Sequence, residues 1–135
     1  MKSTVAVVAD CANIEAHGKL NIMGIFDVIN VQQLPAVHPQ MQIVVRLVAD
    51  PSETKVPLPV EIQLVDEDWQ EILSIKGQTK FQTAASGEQS TSNFMVALNN
   101  VRFGRVGDYE FKVLVCEEAV ATIPLRIQQM QPPAS

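Results

Sequence analysis

The strongest constraint on the fold is a two-residue repeat in hydrophobicity, because apolar and polar residues alternate along five separate segments. Side chains of a β-strand point alternately to opposite faces, so each segment is predicted to be a strand with one buried face. Turn-forming residues such as Asp50-Pro51, Asp66–Asp68 and Gly107-Asp108 separate the segments. This spacing predicts an all-β fold, an antiparallel β-sandwich of immunoglobulin-like type with about seven to nine strands. The apolar positions are Met41, Ile43, Val45 and Leu47; Val60, Ile62 and Leu64; Phe94, Val96 and Leu98; Tyr109, Phe111, Val113 and Val115; and Ala121, Ile123, Leu125 and Ile127.

The length of 135 residues predicts one domain spanning 1–135, with 130–135 as a flexible tail. Helix is expected only as one or two turns between Asp10 and His17, and the polar stretch Gln78–Ser92 is expected to be a long loop, with a weak edge strand around Phe81 as an alternative. Tyr109 follows a turn at the head of a strand, as in the tyrosine corner of immunoglobulin-like sandwiches. Its hydroxyl is therefore predicted to bond back to the preceding connection.

Charge and cysteine usage suggest where the protein works. The net charge is −5 and the ten basic residues are scattered, so nucleic acid and anionic membranes are predicted not to be partners. Cys11 and Cys116 fit no zinc spacing and are expected to be reduced thiols. The apolar run Val5–Ala9 ends at Asp10, too soon for a signal peptide, and no run has the ~20 residues that span a bilayer. A cytoplasmic location is predicted.

A search for catalytic groups predicts a non-enzyme without a cofactor. The only imidazoles are His17 and His38, both in predicted connections, and no nucleophile elbow or glycine-rich phosphate loop is present. Two alternatives stay open. Asp10 and Asp27 could form a carboxylate pair for a metal-dependent hydrolase, or acidic turns such as Asp66–Asp68 could bind calcium.

The segment Leu20–Ile29 breaks the alternation because it is apolar on both faces. A β-bulge at Gly24 would switch which residues face the core. Alternatively, a partner chain covers the outer face, which makes Met23 and Ile25 the candidate residues for self-association.

Several segments together resemble a family of small, uncharacterised bacterial proteins. They are Ala9–Asn13, Gly18–Asp27, Pro35–Pro39, Gly107–Phe111 and Ile123–Leu125, so that the resemblance covers nearly the whole chain. It implies a free-standing bacterial β-sandwich and carries no catalytic residues with it. If the family has a common function, the polar positions of the motif are the candidates for a binding site: Asp10, Asn13, Lys19, Asn21 and Asp27.

The sandwich pattern and the missing catalytic residues favour a non-enzymatic binding or protein-interaction module of the bacterial cytoplasm, since sandwich edges and loops are recognition surfaces. The alternative is a structural subunit of a homo-oligomeric assembly. A protein partner or a second copy is thus the expected partner.

Overall fold

A computed structural model of the chain describes residues 1–53, 56–82 and 89–130. These residues form nine strands and one short 3-10 helix, Pro51–Glu53. The predicted all-β class is confirmed, with a strand number at the upper end of the predicted range. The strands are β1 (Lys2–Ile14), β2 (Leu20–Phe26), β3 (Val28–Val31), β4 (Ala36–Ala49), β5 (Leu58–Val65), β6 (Glu71–Thr79), β7 (Ser90–Phe103), β8 (Gly107–Val115) and β9 (Glu118–Gln129).

The strands form two sheets, one of four strands in the order β2-β1-β4-β7 and one of five strands in the order β3-β9-β8-β5-β6. All neighbours are antiparallel except β3 and β9, which run parallel. The chain crosses between the sheets at Asp27, whose carbonyl oxygen accepts a 2.8 Å hydrogen bond from the Arg126 backbone N–H. The fold is thus a sandwich in which one sheet is mixed.

The core lies between the two sheets and is built from the alternating apolar positions. Met41, Ile43, Val45 and Leu47 of β4 are completely buried. Facing positions of β5, β8 and β9, from Val60 to Ile127, belong to the same buried cluster. The inward-facing sets predicted from alternation are therefore confirmed on these strands.

Tyr109 closes one end of the core. Its hydroxyl donates a 2.7 Å hydrogen bond to the Arg105 carbonyl, and its ring meets Phe103 edge-on with 5.1 Å between ring centroids. Burial raises the pKa of the Tyr109 phenol, so it stays protonated and remains a donor. The predicted bond to the preceding connection is present.

Two local predictions are wrong. The stretch Asp10–His17 is not helical, because β1 continues to Ile14 and pairs there with Leu20 of β2. No bulge occurs at Gly24 either, since the β1–β2 register is the same on both sides of it. In the stretch predicted as helix, hydrogen bonds between β1 and β2 satisfy the backbone N–H and C=O groups that a helical turn would have paired within itself.

Two other predictions fall partly outside the described residues. The predicted loop, Gln78–Ser92, is shortened from both ends by β6 and β7, and Gln82 makes a bridge to Thr91. Residues 83–88 lie outside the described part of the chain. So do residues 131–135 of the predicted tail, whereas the Met130 N–H donates to the Val31 carbonyl at 2.8 Å.

Candidate functional site

The β1–β2 hairpin extends beyond the end of the pairing between β1 and β4. Pairing of β1 with β4 ends at Ala9 and Gln42, whereas pairing with β2 continues to Ile14 and Leu20. We call residues 9–26 the hairpin arm. They include four of the five polar motif residues and both candidates for self-association.

A kink at the base of the arm depends on Gly24. This residue has φ +73°, which L residues rarely adopt, and the Asp10 carboxylate lies where a Cβ atom of residue 24 would be. Neighbouring pairs, Ala9 with Ile25 and Cys11 with Met23, keep the ladder in register across the kink. The exposed side chain of Asp10 thus fills the space left by the glycine.

The tip of the arm returns to the four-stranded sheet. Asn93 of β7 donates its side-chain Nδ2–H to the Gly18 carbonyl at 3.5 Å. By register, Asn93 lies beside Arg46, which pairs with Val5 near the start of β1. Because Gly18 follows the far end of β1, the arm must turn back over the outer face of this sheet.

Burial on that outer face agrees with this path. Val44 is completely buried although it alternates with the core residues Ile43 and Val45, and Ala9 is completely buried as well. An uncovered sheet face would leave such side chains partly accessible. The arm therefore packs on a second apolar surface, outside the main core.

The two sides of the arm differ in exposure. Ala12, Leu20 and Ile22 are half-buried, whereas four of the six strand positions that alternate with them are exposed; Cys11 is half-buried and Ala9 is buried. We call the four exposed positions the outer side of the arm: Asn13, Asn21, Met23 and Ile25. Apolar residues on both sides of β2 are thus explained by an arm that buries one side and exposes the other.

Two of the motif residues contact each other on the outer side. Asn13 and Asn21 are directly opposite in the ladder, and Asn21 Nδ2 donates to Asn13 Oδ1 at 3.0 Å. Lys19 is exposed in the turn at the tip, which is closed by hydrogen bonds between Glu15 and Lys19 and between Gly18 and Glu15, both 2.9 Å. The structure therefore groups Asn13, Lys19 and Asn21 at the distal half of the arm.

Asp10 and Asp27 do not form a carboxylate pair. Asp10 lies opposite Gly24, and Asp27 follows β2 three positions further along, or about 10 Å at the usual strand rise. Asp27 instead borders a surface cavity of about 450 Å³ together with Asp108 and Arg126. The geometry thus does not support the predicted acid pair.

The acidic turn considered for calcium is occupied by protein donors. Arg105 forms ion pairs with Asp66 at 3.0 Å and with Asp68 at 2.7 Å. The other oxygen of Asp66 accepts backbone N–H bonds from Asp68 and Gln70, both 2.9 Å. The hydrogen bond from the Gln70 N–H has the largest effect in lowering the pKa of the Asp66 carboxyl. The bond from the Asp68 N–H and the Arg105 guanidinium lower it further. These oxygens are engaged in holding the turn.

The described residues contain no group of three or more His, Cys, Asp or Glu side chains placed to hold a metal ion. His38 packs against the ring of Phe26 with 5.7 Å between ring centroids. No helix in the described part of the chain has the length and apolar character needed to cross a bilayer.

Comparison with known proteins identifies the family. A model of a family of unknown function, DUF6941, matches residues 4–128. The chain belongs to this family. The predicted resemblance to an uncharacterised family is thereby confirmed. No curated protein sequence matches the chain.

Among solved structures, the DUF6941 chain is similar to the alkylpurine DNA glycosylase AlkC of Pseudomonas fluorescens, which was solved bound to DNA containing an abasic site analog. The TM-score is 0.50 at 14% identity, over 94% of this chain and 30% of the glycosylase chain. The chain thus spans less than a third of that protein. At this identity the likeness concerns the fold alone.

This likeness corrects one prediction. Nucleic acid was excluded on net charge, yet a protein that contains a region of this fold is bound to DNA. Net charge averages over the whole surface, whereas binding depends on the local distribution of charge, so the exclusion is wrong.

Two contacts at the protein surface could not be predicted from the sequence. Asn93 holds the arm tip, and Lys112 lies over the ring of the exposed Trp69 with 4.1 Å between Nζ and the ring centroid. Trp69 has φ +63° in the turn held by Asp66. No local pattern marks such contacts between residues that are distant in sequence.

Proposed function

We propose that the protein is a non-enzymatic protein-interaction module of the bacterial cytoplasm and that the outer side of the arm is its recognition surface. The observation that carries the proposal is the exposure of two neighbouring apolar side chains, Met23 at 65% and Ile25 at 62%. Large apolar groups exposed side by side mark binding sites more often than single ones do.

The outer face of the five-stranded sheet provides a contrast. There Glu61 accepts hydrogen bonds from Gln63 at 3.1 Å and from Ser74 at 2.8 Å. Both hydrogen bonds lower the pKa of Glu61, and the bond from Gln63 has the larger effect. Glu61 is therefore charged at neutral pH. That face thus carries a charged side chain within a hydrogen-bonded polar network, whereas β2 has no charged residue from Leu20 to Phe26.

The contacts that hold the arm in place also favour binding. Asp10 is fitted against Gly24, the Asn13–Asn21 bond joins the two strands, and Asn93 holds the tip. Because these contacts order the arm before any partner arrives, association costs less conformational entropy.

The cytoplasmic part of the proposal rests on the cysteines. Cys11 is half-buried in the arm and Cys116 is exposed in the β8–β9 turn, and both are free thiols. Disulfides persist in oxidising compartments and are rare in the cytosol. The bacterial part rests on the sequence resemblance.

The proposal is tested by capture of partners from a bacterial lysate on the immobilised protein, with and without nuclease. Three proteins are compared: wild type, Met23→Lys/Ile25→Lys, and Val37→Lys/Val106→Lys as a control. The control side chains are 56% and 46% exposed and belong to β4 and to the β7–β8 connection, and the charge change is the same. We expect captured proteins to be lost only with the arm variant. Equal capture by all three would contradict recognition of another protein by this surface, and capture lost on nuclease treatment would indicate nucleic acid as the partner.

A further inference from the structure

We propose that the partner of the arm is a second copy of this chain, joined by antiparallel pairing of β2 with the second copy's β2 about a two-fold axis at Gly24. This inference rests on the proposed function, because it names the partner of the same surface. The observations behind it are the free edge of β2, the symmetry of its sequence and the charges that flank it.

The free edge of β2 lacks three of the features that block edge pairing in natural sheets, namely charge, proline and very short length. β2 is the end strand of the four-stranded sheet and pairs only with β1 within the described residues. Natural edge strands are usually protected by charge, proline or very short length. The opposite sheet follows this rule, since its edge strand β6 carries Glu71 and Lys76 and its edge strand β3 has four residues. β2 has seven residues and neither charge nor proline.

The sequence of β2 is self-complementary about Gly24. Antiparallel pairing centred there places Met23 opposite the second copy's Ile25, and Ile22 opposite its Phe26. Directly opposite residues point to the same face of a joint sheet. The exposed Met23 and Ile25 of both copies therefore form one apolar cluster, and Gly24 lets the two backbones approach at the axis.

Charges on either side of this cluster are complementary. Just beyond the five paired residues, Ile22 to Phe26, the same register brings Asp27 next to the second copy's Asn21, whose amide can donate to the carboxylate. Lys19 lies two positions before Asn21, so it is the diagonal neighbour of Asp27 across the pair, within reach of a long side chain. Each contact occurs twice by symmetry. Three residues of the sequence motif thereby gain a common role.

The area of this contact sets its strength. A five-residue edge pairing with four apolar side chains covers less than the ~800 Å² per partner of a standard interface. The dimer is therefore expected to be weak, with a dissociation constant of micromolar order or above. The protein should be monomeric when dilute and dimeric when concentrated.

The first test is molar mass by light scattering after size exclusion, from about 5 µM to about 1 mM. We expect the mass to rise from that of the 14.8 kDa chain towards twice that value. Met23→Lys/Ile25→Lys should stay monomeric, whereas Val37→Lys/Val106→Lys should dimerise as wild type does. A wild type that stays monomeric throughout, or a dimer that survives the arm substitutions, overturns the proposal.

The second test fixes the register by disulfide cross-linking. Met23→Cys and Ile25→Cys are made separately in a Cys11→Ala/Cys116→Ser background and mixed at high concentration under oxidation. Since these positions are directly opposite, the mixed disulfide should exceed either homodimer. Predominance of the Met23→Cys homodimer would mean a different register and would overturn the pairing.

The two proposals fail separately. If the arm substitutions abolish capture of other proteins from lysate while wild type is monomeric at every concentration, self-association is wrong and the interaction surface stands. If they change neither capture nor mass, both are wrong.

Discussion

Replacing Gly24 with alanine should destabilise the protein, because the kink of the arm depends on this residue. An L residue at φ +73° costs roughly 1–2 kcal/mol. The new Cβ would also force Asp10 out of its place, at about 0.5–1.5 kcal/mol for a side chain driven off its rotamer. Alanine returns about 0.4–1 kcal/mol by restricting the unfolded chain. The net loss is roughly 0.5–3 kcal/mol.

The assay is urea unfolding followed by far-ultraviolet circular dichroism on wild type, Gly24→Ala, Asp10→Ala and the double variant. Because Asp10→Ala removes the group that the new Cβ meets, Gly24→Ala should cost about 0.5–1.5 kcal/mol less in that background. Gly104→Ala serves as the control, since nothing lies within 4 Å of its Cβ position. A Gly24→Ala protein as stable as wild type would refute the left-handed kink, and a cycle without coupling would refute the contact with Asp10.

Three further results are expected. Tyr109→Phe should cost about 0.5–1.5 kcal/mol in urea unfolding, because the bond to the Arg105 carbonyl is lost while the ring stays packed; an unchanged stability would argue against that bond. Since the pKa of Asp66 is lowered in the folded state, its contribution is present above about pH 4 and is lost as the pH falls through the folded pKa. Asp66→Asn should therefore melt lower than wild type at pH 7 and show a weaker drop in Tm towards about pH 2.5, and equal slopes would contradict this. Ile25→Lys should change stability by less than about 0.5 kcal/mol, because the side chain is 62% exposed, and a larger loss would mean that it packs within the monomer.

Most of the strands could be predicted from the sequence because alternation is a local signal of a half-buried strand. The core positions of β4, β5, β8 and β9 follow from it directly. The same signal was ambiguous at Leu20–Ile29, where two apolar sides suggested either a bulge or a covered face. The structure excludes the bulge: one side of β2 packs inward on its own chain, and the other side exposes Met23 and Ile25, where we propose that a second copy binds.

The site was less predictable because it depends on contacts between residues that are distant in sequence. Asn93 and Gly18, which fix the tip of the arm, are separated by 75 positions. Arg105 and Asp66, whose ion pair occupies the acidic turn considered for calcium, are separated by 39 positions. The exclusion of nucleic acid on net charge was wrong for a different reason. Net charge is a sum over the whole chain and does not describe the charge of a local surface.

The most direct test of the recognition surface is a methyl NMR spectrum of the protein labelled with 13C at its methionine methyl groups. The spectrum is recorded in buffer, in bacterial lysate and at increasing concentrations of the protein itself. Among the five methionines, Met23 and Met130 are exposed to similar extents, 65% and 57%, so Met130 is an internal control. We expect the Met23 signal to shift or broaden selectively in lysate or on concentration, while that of Met130 is unchanged. A Met23 signal that is unchanged under all conditions, or that changes only together with Met130, would contradict the assignment of the outer side of the arm as the recognition surface.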